Sequence, residues 1–121
     1  MRVLSDLISG FVALEHVGFL VLEMFFWTKP LGLKIFRLTL PAAQASAGLA
    51  MNQGLYNGFL AAGLIWGLCS TDAASALSLK TFFLSCVVVA GAFGAATVSP
   101  RIFFVQAAPA LAALALLRFS R

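Results

Sequence analysis

The run Ala50-Met51-Asn52-Gln53-Gly54-Leu55-Tyr56-Asn57-Gly58-Phe59-Leu60-Ala61-Ala62-Gly63 sets a polar island inside one of the most apolar stretches of the chain. The segment around it, 41–68, is long enough to cross a bilayer, whose hydrocarbon core takes about 20 helical residues. Amides are costly in hydrocarbon unless each donor and acceptor is met, so the island marks packing specificity or a site. Three more apolar segments flank it, at 7–27, 79–98 and 102–117, the last short and carrying Pro109. Together they take 85 of the 121 residues and leave no room for a separate water-soluble domain. The expected fold is therefore all-α: one integral membrane domain over 1–121, a bundle of four transmembrane helices.

Composition points the same way. Hydrophobic residues make up 62% and charged residues 10%, against roughly 25% charged in soluble domains. The net charge of +4 is no sign of nucleic acid, because the eight basic residues sit at segment ends, where they meet headgroups and water. Asp6, Glu15, His16 and Glu23 interrupt the first segment and no small-residue cleavage site follows, so it is expected to be retained rather than removed as a signal peptide. Residues 28–40 mix Lys29, Lys34 and Arg37 with leucines, Ile35 and Phe36, the pattern of a short interfacial segment between helices one and two. The next connector, 70–78, is short and alanine-rich, and the third is a turn at Ser99-Pro100-Arg101. Trp27 and Trp66 are expected near opposite membrane faces. Cys69 and Cys86 read as two buried small residues, with a disulfide as the alternative.

Orientation has no vote from charge. Lys29, Lys34, Arg37 and Arg101 fall on one face; Arg2, Lys80, Arg118 and Arg121 fall on the other. Either finer details set the orientation, or copies insert both ways and pair as an antiparallel homodimer.

Helical spacing sorts the polar residues. Glu15, His16, Phe19, Glu23, Phe26 and Trp27 fall within about 120° of arc. Asn52, Gln53, Tyr56 and Asn57 occupy about 140° of arc on the second helix, with Gly54, Gly58 and Ala61 forming a separate packing stripe. Topology then predicts that Glu23, Trp27, the island, Arg101 and Gln106 share one half of the bundle, with Glu15 and His16 deeper. Arg101 is the one cation expected within reach of Glu23, and the amides are its alternative partner. Ionisable groups inside a span face the bundle or a wet cavity, so Glu15 and Glu23 are candidates for binding a proton or a substrate. Gln106 is expected to tidy the backbone bonding that Pro109 disturbs. One histidine and separated cysteines do not make a metal site, and no Ser/His/Asp constellation is readable, so neither metal, cofactor nor catalytic residue is assigned.

The run 50–63, with Leu22-Glu23-Met24-Phe25-Phe26-Trp27 and Val105-Gln106, resembles the signature of a bacterial membrane family known as domain of unknown function 1304. The likeness covers nearly the whole chain. It implies a four-span, multi-pass protein of the bacterial inner membrane and brings no reaction, substrate or cofactor. A looser likeness of architecture, to small multidrug-resistance transporters, rests on four spans, similar length and a glutamate in the first span, here Glu15. Two functions follow as expectations: a small proton-linked transporter with a carboxylate–amide site, or a non-catalytic protein holding a lipid, a quinone-like ligand or a membrane partner.

Overall fold

The computed structural model describes residues 1–120, so Arg121, counted above among the cations of one face, lies outside the described residues. Five α-helices follow in order, with no strand among the described residues: α1 (Arg2–Phe25), α2 (Pro30–Phe36), α3 (Leu40–Cys69), α4 (Ala73–Thr97) and α5 (Ala108–Phe119). A π-helical turn, Phe103–Ala107, leads into α5. Two of the four expected spans, α1 and α4, are long and apolar enough to cross a membrane by length and composition. The other two fall short for different reasons. At 30 residues α3 is long enough, but the island's amides dilute its apolarity. The last helical stretch, Phe103–Phe119, is apolar but short.

Helix boundaries depart from the apolar segments where local chemistry decides them. The chain is helical from Arg2, ahead of the apolar run at 7–27. The connector expected over 70–78 shrinks to three residues, because Asp72 caps α4 and its carboxylate accepts a 2.8 Å hydrogen bond from the Ser75 N–H. Within the 28–40 segment, Pro30 opens α2 at its first turn and Arg37, at φ 54°, closes it with a bond to the Leu33 carbonyl. Ahead of α5, the Ala108 N–H bonds the Phe103 carbonyl, five residues back. Pro109 has no N–H and its ring crowds the carbonyl four residues before it. The backbone itself, widened by one residue per turn, absorbs the proline, rather than the Gln106 side chain.

Hydrogen bonds from Ser75, its hydroxyl foremost and its backbone N–H next, hold the Asp72 carboxyl below its usual range. A carboxyl lowered in the folded state contributes stability above its ordinary pKa and loses it as the pH falls through the lowered value. The first turn of α4 should therefore fray in acid. Exchange of the Ser75 amide hydrogen should accelerate there beyond its intrinsic pH dependence, and Asp72→Asn, which caps without titrating, should abolish that acceleration.

The chain divides into two compact units. The first comprises Met1–Leu14 and the residues from Leu60 onward, and its core is Val12 and Ala13 of α1, Leu64 of α3, Leu84 and Val87 of α4, and Ala110, Ala113 and Leu117 of α5. On α4 the buried positions are Lys80, Leu84, Val87 and Gly91, a spacing of four and three that gives a narrow seam for near-parallel helix packing. The Ser5 hydroxyl donates to the Ala113 carbonyl at 3.2 Å, tying α1 to α5. The second unit, Glu15–Phe59, combines the C-terminal half of α1, α2 and the first part of α3. Its buried positions on α3 are Ala43, Ala50, Gly54 and Asn57, again at heptad spacing. Cys69 and Cys86 are unpaired; Cys69, the last residue of α3, is exposed rather than buried.

Candidate functional site

The site lies in the second unit and begins with how closely α1 and α3 approach. A Cβ on Gly54 would sit 2.7 Å from Met24 Cγ and 3.1 Å from Glu23 Cβ, and one on Gly58 would sit 2.6 Å from Leu20 Cδ1. At Gly54 the Leu20 carbonyl also stands 3.3 Å away, so a hydrogen is what fits, while at Gly58 only the tip of the Leu20 side chain would have to move; Gly54 and Gly58 of the stripe read from the sequence thus face α1. That approach brings Glu23, 5% exposed, beside Asn57, 8% exposed. The Asn57 Nδ2 donates to both carboxylate oxygens, at 3.3 Å to Oε1 and 3.2 Å to Oε2. Of the two partners the sequence leaves open for Glu23, the structure supplies the amide.

The other island residues require a correction. Asn52, Gln53 and Tyr56 are exposed, with Tyr56 packed at 6.1 Å on Phe59. The island therefore does not present its polar groups on one face. Asn57 belongs to the packing stripe, three residues on from Gly54, while the other three turn away from Glu23. The physical reason is helical phase: Asn57 sits at the edge of the polar arc nearest the glycines, and the incoming α1 decides which side of it is covered.

Along α1, His16 is fully buried and meets Phe19 edge-on at 5.3 Å. His16 and Glu23, seven residues apart, share a stripe and lie about 10 Å apart along the axis. Glu15 is half-buried, and its Oε1 is buried without a hydrogen bond among the described residues. A buried carboxyl oxygen without a hydrogen bond is costly, and it sets Glu15 apart from Glu23, whose two oxygens are both met. Trp27 is used inside the fold: its Nε1 donates to Ser46 Oγ at 3.1 Å and its ring packs 4.7 Å from Phe36, pinning α2 and the start of α3. Arg101 is exposed beside the last turn and Gln106 is half-buried in the π-helical turn, both in the first unit. Their expected gathering around Glu23 is not a feature of either unit.

One feature of the first unit escapes sequence reasoning. Lys80, 9% exposed, forms an ion pair with Asp6 across 74 residues of chain. Asp6 reads in the sequence only as an interruption of an apolar run. The pair borders a cavity of about 220 Å³ that Arg2 and Ser70 also line. Among the described residues, no group of three His, Cys, Asp or Glu is placed to hold a metal ion.

Chemically, the carboxylate–amide pair can follow a proton. A carboxamide carries both donor and acceptor, so Asn57 can donate to ionised Glu23 or, turned over, accept from its protonated form. The fold and site thus define an all-helical protein with two membrane-length apolar helices and a buried carboxylate held by a neutral amide. The sequence profile of the family described as Protein of unknown function (DUF1304) matches residues 10–118, and the chain belongs to that family. It is also similar to the Uncharacterized protein YpaA of Lactococcus lactis subsp. lactis (strain IL1403), 28% identical over 116 residues that cover 94% of this chain and 96% of that one. No solved structure matches.

Proposed function

We propose that the chain is a small multi-pass protein of the bacterial inner membrane, with α1, α3, α4 and the stretch Phe103–Phe119 crossing the bilayer as one domain. In this reading Glu23 and Glu15 take up and release protons coupled to the passage of a small solute. The membrane part is supported by an inverted distribution of residues. Phe11, Leu14, Phe25, Trp66, Phe82, Val89, Phe93 and Phe104 are all exposed, while Ser5, Ser9, His16, Glu23, Asn57 and Lys80 are buried. Soluble monomers rarely expose contiguous apolar patches beyond a few hundred Å².

The proton-linked part is carried by one observation: the buried Glu23 carboxylate has the neutral Asn57 amide as its hydrogen-bond partner. A carboxyl whose partner is an amide rather than a cation can change its protonation state without leaving a buried cation unpaired. The ligand-holding alternative has less behind it. Its best surface is the apolar strip of Phe82, Cys86, Val89 and Phe93 on α4. Those residues lie three and four apart on one helix, the face any lipid-exposed helix presents.

The test is a pH jump applied to proteoliposomes adsorbed on a solid-supported membrane. The wild type should give a transient current above that of protein-free liposomes, and Glu23→Gln should return it to the protein-free level. A wild-type trace indistinguishable from empty liposomes, or an unaltered current in both Glu23→Gln and Glu15→Gln, would end the proton-linked reading.

A further inference from the structure

In the first unit, the end where α1 and α4 begin and α3 and α5 finish holds the cavity of about 220 Å³ that the Glu23 site does not use. Arg2, Asp6 and Lys80 bring charge to its lining, Ser70 and Ser120 bring hydroxyls, and leucines and alanines supply most of the rest. Lys80 is built into this wall. A Cβ at Gly67 of α3 would stand 2.9 Å from Lys80 Cγ and 3.1 Å from its backbone nitrogen, so the bare glycine is what gives the lysine room. Taking an ammonium out of water costs several kcal/mol. The Asp6 side chain that answers it is still 46% exposed, and a carboxylate half in water returns only part of that cost.

Charged donors are in excess here. The Lys80 ammonium has three N–H groups and gives one to Asp6 Oδ1. Arg2 is exposed, and among the described residues no hydrogen bond engages its five N–H groups. Both hydroxyl protons are already taken by backbone, Ser70 bonding the Asp72 carbonyl at 3.4 Å and Ser120 the Leu116 carbonyl at 2.6 Å. Two cations against one carboxylate leave the lining positive. Just outside it, Asp72 is turned to the Ser75 N–H and Arg118 is exposed on the last turn of α5, so the pair leaves that excess unchanged. We infer that this cavity binds a phosphate group, with Lys80 and Arg2 donating to its oxygens.

Size and donor chemistry select that guest. The cavity has the volume of about seven waters at ~30 Å³ each, below the roughly 300–1,000 Å³ of pockets that enclose drug-sized molecules. It therefore takes a small anion whole, or the head of a larger molecule. A phosphate offers several oxygens, enough to meet the point charge of a lysine and the fork of an arginine at once. The group has two sources, free inorganic phosphate or the phosphodiester of a lipid. Helix ends of membrane spans stand at headgroup level, so the lipid source rests on the membrane reading above, while the free ion does not. Neither depends on the proton-linked reading of Glu23, which belongs to the second unit.

Thermal unfolding of the full chain in a non-ionic detergent tests this, with inorganic phosphate and short-chain phosphatidylglycerol titrated separately at constant ionic strength. The melting temperature should rise and saturate. A rise with phosphatidylglycerol alone assigns the headgroup, and a rise with inorganic phosphate shows that the free ion suffices. Arg2→Gln, at an exposed position outside the core, should weaken the affinity about tenfold by removing a charge-assisted contact. Asp6→Asn should lower the melting temperature without ligand, since Lys80 loses its partner, yet tighten the binding, since the carboxylate that repels the guest is gone. An ion pair with a structural role alone predicts the first of these effects and not the second. No saturable rise with either ligand, an affinity unmoved by Arg2→Gln, or weaker binding by Asp6→Asn would overturn the site.

Discussion

Gly91→Leu should leave no stably folded protein, and even Gly91→Ala should be strongly destabilising. A Cβ at Gly91 would stand 2.8 Å from both the Cβ and the backbone nitrogen of Ala107 and 3.2 Å from its Cα. The obstacle is main chain in the π-helical turn, which cannot swing aside as a side chain could. That turn is itself committed by Pro109, so the two helices would have to part. Overpacking of this kind costs about 1–3 kcal/mol for a single added carbon group, and a leucine adds three more. Thermal unfolding in detergent should show it directly. Gly18→Ala is the control: nothing lies within 4 Å of its Cβ position, so its melting temperature should stay level or rise slightly.

The second large effect separates structure from function at Glu23. Asn57→Leu removes the amide that both carboxylate oxygens share and leaves the buried carboxyl without a partner. A cost of about 1–2 kcal/mol is expected, since hydrogen-bond losses in membrane proteins run at the low end of those in water. Replacing both partners, Glu23→Leu with Asn57→Leu, should recover most of that stability, because two apolar groups leave nothing unsatisfied. The recovered double variant should nonetheless give no proton current. If stability and current instead return together, Glu23 serves as a helix lock and carries no coupling role.

Much of this was legible in the sequence, and what was not has physical reasons. Apolar length and the small-residue stripe of Gly54 and Gly58 mark the helices and their contact face without a structure. The choice of amide for Glu23 does not follow from the wheel, because Asn57 lies on the border between the polar arc and the packing stripe. Only the approach of Leu20, Glu23 and Met24 resolves which arc it joins. The Asp6–Lys80 ion pair spans the chain and carries no local periodicity, so no pattern announces it. Boundaries set by capping, such as Asp72 opening α4, are legible in principle but are overlooked when apolarity alone defines a segment. Trp27 reads in the sequence as a membrane-belt residue, and its bond to Ser46, 19 positions on, has no local signal there.

The central claim is that Glu23 is a carboxyl that exchanges a proton while held by Asn57 in the membrane. Infrared difference spectroscopy of the protein in lipid, recorded between two pH values, tests it most directly. A protonated-carboxyl C=O band should appear and vanish with pH, be absent in Glu23→Gln, and shift in frequency in Asn57→Leu as the amide bond is lost. A difference spectrum with no carboxyl band removed by Glu23→Gln would contradict the account.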